Sequence, residues 1–102
     1  MKVLVVRVGE QPQVMDIKDD LKTYQAIVGG YIQCISIDEN VDMVCNDEGK
    51  IIGLPINRPL VFNNRLVDII CGDFFIVGVD EADFTDLPEH MIKKWKRIYT
   101  IL

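Results

Sequence analysis

The sequence is poor in the residues that carry nucleophilic and acid–base chemistry. It has one serine, Ser36, and one histidine, His90, and no G-x-S-x-G motif surrounds the serine. A cysteine–histidine pair formed across space is the remaining alternative, although every cysteine stands in an apolar run. No glycine-rich loop opens a helix, because Gly29-Gly30 follows one. We therefore expect a protein that is not an enzyme, with no catalytic residue and no cofactor.

The sequence also lacks an apolar run of the roughly 20 residues that a membrane helix needs, and it begins with a strand-like segment instead of a signal peptide. It has no C-x-x-C motif, and its three cysteines, Cys34, Cys45 and Cys71, are odd in number. This pattern indicates buried free thiols instead of a disulfide framework or a zinc site. We expect a protein of a reducing cytoplasm that makes no membrane contact.

Positive charge is scarce except at the end of the chain. The net charge is −5, but residues 1–92 carry −9 and the last ten residues carry +4. An acidic body disfavours binding to nucleic acid through its phosphates. The basic end indicates the solvated face of a terminal helix or, alternatively, a contact for a phosphate or an acidic partner. The carboxylates of residues 80–86 lack the glycine and the closing glutamate of a calcium loop, so no metal site is expected.

The patterning that is present predicts a single α+β domain over residues 1–102. Alternating or continuous apolar runs predict strands at residues 2–8, 13–17, 31–37, 41–45, 66–71 and 74–79. The first two strands, and then the next two, are predicted to form hairpins. The order of elements favours a mostly antiparallel sheet of five to six strands with two helices packed on it.

The two helices are predicted at about residues 19–28 and about residues 87–99. The first has Asp19-Asp20 at its start, where carboxylates satisfy free N–H groups, and Gly29-Gly30 at its end. For the second, Asp86 and Glu89 have the spacing of a capping box. Residues 80–85 are predicted to be an acidic loop.

Two segments leave more than one interpretation open. The apolar runs 66–71 and 74–79 predict either a tight hairpin or one long strand broken by a bulge. Residues 50–65 contain Pro55 and Pro59, and they are predicted to be an ordered loop held by a few apolar side chains.

The loop is the best candidate for ligand recognition. Arginine forks suit phosphate or carboxylate, amides recognise polar ligand edges, and an aromatic ring can stack on a base. The predicted recognition set is Arg58, Asn57, Arg65, Asn46, Tyr31 and Phe62. The alternative interpretation is that the loop's polar residues cap turns and satisfy the loop backbone.

Four blocks of the sequence are similar to a known family. They are Val28–Ile32, Cys45–Lys50, Gly53–Arg58 and Ile69–Gly78. In this order they resemble a family of small proteins, a domain of unknown function, found in phages, plasmids and conjugative elements of Firmicutes and their relatives. The resemblance covers roughly residues 2–85. It implies an accessory gene of a mobile element that acts in a bacterial cytoplasm, and it carries no catalytic residue over.

This setting leads to two hypotheses. The first is a non-enzymatic inhibitor of host defence that sequesters a small nucleotide-like signal through the predicted recognition set. The second is a protein–protein inhibitor or adaptor that binds a host defence protein directly, through the apolar part of the 50–65 loop or through the basic helix. An enzyme and a DNA mimic rank lower. Because unpaired strand edges invite association, a homo-oligomer is a further expected partner.

Overall fold

The first strand sets the centre of the molecule. In the computed structural model, which describes residues 1–102, β1 is Lys2–Val6, and the side chains from Val3 to Val6 are at most 1% exposed. Such a continuous apolar strand requires cover on both faces of its sheet. The other elements, in chain order, are β2 (Gln13–Asp16), α1 (Leu21–Val28), β3 (Ile32–Asp38), β4 (Val41–Asn46), β5 (Ile56–Phe62), β6 (Arg65–Cys71), β7 (Phe74–Asp80), β8 (Asp83–Thr85) and α2 (Glu89–Ile98).

Six strands form one antiparallel sheet in the order β2-β1-β7-β4-β3, with β8 paired to β7. The strands β5 and β6 form a separate two-stranded hairpin. The predicted α+β architecture with a mostly antiparallel sheet and two helices is confirmed. Neither helix is long and apolar enough to cross a membrane.

A core lies on each face of the large sheet. On the α1 face, Tyr24 and Val28 of the helix pack on Val3, Val5 and neighbouring strand residues. On the opposite face, which we call the α2 face, the helix α2 and the β5–β6 hairpin lie over the sheet together. The buried side chains of that face are Leu4, Val6, Ile37, Val41, Met43, Cys45, Leu60, Ile70, Phe74, Ile76, Leu87, Ile92, Trp95 and Tyr99.

The first helix begins and ends where its sequence predicts. Asp20 is the N-cap, and its carboxylate accepts a 2.8 Å hydrogen bond from the N–H of Thr23. Gly29 is the C-cap with a φ of 80°, a conformation that glycine adopts without strain. The second helix differs. Pro88 is its N-cap, with no side-chain cap, because the Asp86 carboxylate instead accepts a 2.7 Å hydrogen bond from the N–H of Lys2. The capping-box prediction is therefore wrong.

Three other local predictions are also wrong. Residues 56–62 of the predicted loop are the strand β5, in which Pro59 is tolerated because the small sheet has only edge strands. The runs 66–71 and 74–79 do not pair with each other. Gly72, with a φ of 87°, turns the chain out of the small sheet and into the centre of the large one. The predicted acidic loop contains β8, which returns onto β7 after a turn at Glu81 and Ala82.

The cysteines are not uniformly buried as predicted. Cys45 is buried, Cys71 is half-buried and Cys34 is exposed. Cys34 lies on β3 at the edge of the sheet, where only β4 flanks it.

Candidate functional site

Arg58 lies inside the protein and joins three distant segments. Its side chain is 7% exposed. The Nε–H donates to the backbone carbonyl of Tyr99 at 3.0 Å, and the two Nη atoms donate to the carbonyls of Arg7 and Glu10. Burial lowers the pKa of Arg58 below its ordinary value. The guanidinium therefore fixes the hairpin to the β1–β2 turn and to the end of α2.

Asn57, like Arg58, forms hydrogen bonds with backbone carbonyls of distant segments. Its Nδ2 donates to the carbonyls of Val6 and Gly72, both at 2.9 Å, and its Oδ1 accepts a 2.7 Å hydrogen bond from Arg58 Nη1. The amide thus satisfies backbone groups at the point where the hairpin leaves the large sheet. This geometry agrees with the alternative interpretation of the loop, in which its polar residues satisfy backbone.

Asn46 holds the end of α1 against the turn after β4. Its Nδ2 donates to the carbonyl of Val28 at 3.1 Å, and its Oδ1 accepts a 2.8 Å hydrogen bond from the N–H of Glu48. A Cβ atom on Gly30 would lie 2.9 Å from Asn46 Nδ2, so a larger residue there would require the Asn46 amide to shift. Beside this contact, Tyr31 is 70% exposed, and its ring is available at the surface.

Phe62 and Arg65 are opposite each other at the tip of the hairpin. Both are exposed, and Asn63 and Asn64 between them adopt left-handed backbone conformations, with φ of 50° and 61°. Phe62 also borders a surface cavity that lies between the hairpin tip, the end of β3 and Lys94 of α2.

The structure does not bring the predicted recognition set together. Arg58 and Asn57 lie at the base of the hairpin, Phe62 and Arg65 lie at its tip, and Asn46 and Tyr31 line a third location below α1. Three surface cavities contain one or two of these residues, and each is lined by a single lysine beside at least one carboxylate. None of these cavities therefore combines the free cations that would bind a phosphate.

An exposed aliphatic surface covers the hairpin and the turn before it, and it joins part of the predicted apolar 50–65 segment to residues of β6 that were not predicted to be exposed. We call it the aliphatic patch, and its members are Ile51, Ile56, Leu66, Val67 and Ile69. Their side chains are between 41% and 83% exposed. The four members on the hairpin line one shallow concavity, and Ile51 adjoins Ile69 in the next one. Lys50 and Asp68 form an ion pair at its centre, which lowers the pKa of Asp68.

The signal for this patch is present in the sequence but ambiguous. The run Leu66–Cys71 is apolar enough to be a buried strand, and a strand in the middle of a sheet has the same pattern. In the structure only Ile70 of this run is buried, and it packs beside Leu60. The remaining aliphatic side chains have no cover because β6 pairs only with β5.

The titratable side chains do not converge on one place. Residues 1–102 bring together no group of three or more His, Cys, Asp or Glu side chains that could hold a metal ion. Burial raises the pKa of the Cys45 thiol to about 11, and burial with the nearby Asp42 raises that of Cys34. Both thiols are therefore protonated and weakly nucleophilic at neutral pH.

The fold and surface define the class: an α+β protein with one sheet covered on both faces and an exposed aliphatic hairpin. The chain matches the family described as Domain of unknown function (DUF3846) over residues 1–100, and it belongs to that family. Comparison with curated proteins and with solved structures found no match.

Proposed function

We propose that this protein is a non-enzymatic binding protein that holds a partner protein on the aliphatic patch. The observation that supports the proposal is the exposure of five aliphatic side chains on one contiguous surface. Contiguous apolar surface of this kind typically marks an interaction site. Burying one such side chain contributes roughly 1.5–3 kcal/mol, so even a partial cover of the patch is a sizeable driving force.

The composition of the patch indicates the chemistry of the partner. The Lys50–Asp68 ion pair lies among the aliphatic side chains, and the exposed Arg65 precedes Leu66 at the hairpin tip. Protein–protein interfaces combine apolar contact area with a smaller number of polar and charged contacts. The partner surface is expected to present aliphatic or aromatic side chains together with charges that complement Lys50, Asp68 and Arg65.

The biological setting of the proposal comes from the resemblance to proteins of phages and other mobile elements. An accessory protein of such an element acts in a reducing bacterial cytoplasm, and its partner would be a host defence protein. In this proposal the protein inhibits by stoichiometric binding, without turnover.

A second candidate function is capture of a nucleotide-like signal. The exposed rings of Tyr31 and Phe62 favour it, because each could stack on a base, and Arg65 lies beside Phe62. It ranks second because the polar groups of Arg58, Asn57 and Asn46 are already engaged within the fold.

The proposal is tested by capture from a host lysate with a tagged chain and a variant carrying Leu66→Gln and Ile69→Gln. The matched control is Leu21→Gln, which replaces an equally exposed leucine on α1. We expect one protein to be retained by the native chain and by the control, and to be lost with the double variant. Retention by all three chains would contradict the proposal. A melting-temperature increase with a nucleotide, unchanged by the double variant, would favour the second candidate instead.

A further inference from the structure

The outer edge of β3 has unpaired backbone groups. The carbonyl of Tyr31 accepts a 2.8 Å hydrogen bond from the N–H of Asp47, so residue 31 faces the neighbouring strand β4. Because bonding alternates along an antiparallel pair, Ile32, Cys34 and Ser36 direct their N–H and C=O groups away from β4. No other strand of the sheet lies on that side.

From Ile32 to Ser36 this edge lacks most of the features that normally protect an open strand, and an irregularity and the carboxylate of Asp38 follow only at the end of β3. Residues 31–37 include no proline and no charged residue. The opposite edge of the sheet is different, because β2 has only four residues, with Pro12 just before it and Asp16 at its end. Short strands, prolines and charges are the usual protection against edge-to-edge pairing. The uncharged stretch of β3 before Asp38 is therefore expected to be covered.

We propose that the β3 edge pairs with the β3 edge of a second copy of this chain, antiparallel and centred on Cys34. In this register Cys34 lies opposite Cys34 of the second copy, and Ile32 lies opposite Ser36 of the second copy. All three outward-facing residues of each copy are then paired. The segment 31–37 is uncharged, so two identical strands bring no like charges together. The small, exposed side chains of Cys34 and Ser36 leave room beside the axis.

The proposed β3–β3 pairing defines the symmetry of the dimer and the relative position of its two hairpins. A two-fold axis perpendicular to the sheet relates the copies, so the same edge is used by both. The two six-stranded sheets join into one continuous sheet. Since the axis keeps corresponding faces on the same side, both hairpins lie on one face of the dimer. The inference does not depend on the proposed function, because it rests on the backbone edge and not on the aliphatic patch.

The first test is molecular mass by light scattering across a micromolar dilution series. The native chain is expected at twice the monomer mass of 11.7 kDa. Cys34→Lys places two like charges opposite each other and is expected to give the monomer mass. The matched control Val14→Lys introduces the same charge at an exposed position of β2, and is expected to stay dimeric. Circular dichroism melting of each variant verifies that it is folded. A monomeric native chain, or a dimeric Cys34→Lys chain, would overturn the proposal.

The register is tested by oxidation with copper phenanthroline, which takes two electrons from a pair of thiols as two protons leave. Opposed Cα atoms of a hydrogen-bonded antiparallel pair are about 5.5 Å apart, within the span of a disulfide. A covalent dimer is expected from the native chain and from Cys71→Ser, but not from Cys34→Ser. Cross-linking through Cys71 instead would overturn the register. A monomer obtained with the Leu66→Gln and Ile69→Gln variant, but not with Cys34→Lys, would assign the dimer to the patch and overturn the proposal.

Discussion

Replacing Arg58 by alanine distinguishes a structural role of this residue from a role in ligand binding. The change removes donors to the backbone carbonyls of Tyr99, Arg7 and Glu10 and leaves those acceptors without their partner. One unsatisfied buried acceptor costs about 1–3 kcal/mol. Three backbone acceptors lose their donor at once, and no opposite charge is left unpaired. We expect Arg58→Ala to lower the free energy of unfolding by about 3–5 kcal/mol.

A loss of this size is large for a domain of 102 residues. At about 4 °C or more per kcal/mol, the melting temperature should fall by at least about 12 °C. The assay is thermal unfolding followed by far-UV circular dichroism, with urea unfolding as a second measurement of the free energy. The matched control is Arg65→Ala, because Arg65 is exposed on the same hairpin. Its effect should stay within about 0.5 kcal/mol.

The result that would refute this reasoning is a folded Arg58→Ala chain that melts within about 4 °C of the native protein. In that case the carbonyl contacts would contribute little, and Arg58 would be available for a ligand as the sequence predicts. A large loss of stability with Arg58→Ala, together with no loss with Arg65→Ala, assigns Arg58 to the framework of the fold.

Three further predictions concern packing, charge and thiol access. Gly78→Ala should destabilise the fold by roughly 1–3 kcal/mol in urea unfolding, because its Cβ atom would lie 2.4 Å from a backbone oxygen. Asp38→Asn should cost about 0.5 kcal/mol at pH 7, because the carboxylate loses its hydrogen bond from Lys94. That hydrogen bond lowers the pKa of Asp38, so the stabilisation exists above the unfolded pKa of about 3.9 and is lost as pH falls through the folded pKa. Iodoacetamide should label Cys34 in the folded protein and Cys45 only after unfolding.

Each of these three predictions would be contradicted by a specific result. An unchanged urea midpoint for Gly78→Ala would mean that the backbone at Asp86 moves away without cost. A pH-independent difference between the native chain and Asp38→Asn would mean that the ion pair is not its cause. Equal labelling rates for Cys34 and Cys45 would contradict their difference in burial, and mass spectrometry of digested protein measures both rates.

The parts of the fold that the sequence predicts well are those determined by neighbours along the chain. The continuous apolar run of β1 requires a covered strand, and Asp20 and Gly29 limit α1 through contacts within a few residues. The hairpin was predicted less well. A strand of a small separate sheet and a loop with apolar anchors have similar composition, and Pro55 and Pro59 favoured the loop.

The recognition set could not be assigned from the sequence because the partners of its polar groups are distant. Arg58 bonds to carbonyls 41, 48 and 51 residues away along the chain, and a backbone carbonyl has no sequence signature. In the sequence, an arginine and an asparagine in a predicted loop therefore look the same whether they bind a ligand or satisfy backbone carbonyls. The part of the aliphatic patch on β6 was missed for the converse reason, since an apolar strand gives no sign of which face lacks cover.

The hairpin and the large sheet are separate sheets with no strand pairing between them, and this separation affects how the sequence of the protein can vary. The large sheet and its two helices need continuous pairing and dense packing, so most substitutions there change the fold itself. The hairpin is attached through Arg58, Asn57, the Tyr99 hydroxyl and two inward side chains, and its outward aliphatic positions are exposed. Substitutions at those outward positions therefore change the surface while the scaffold stays intact. Related chains can in this way present different surfaces on one inherited framework.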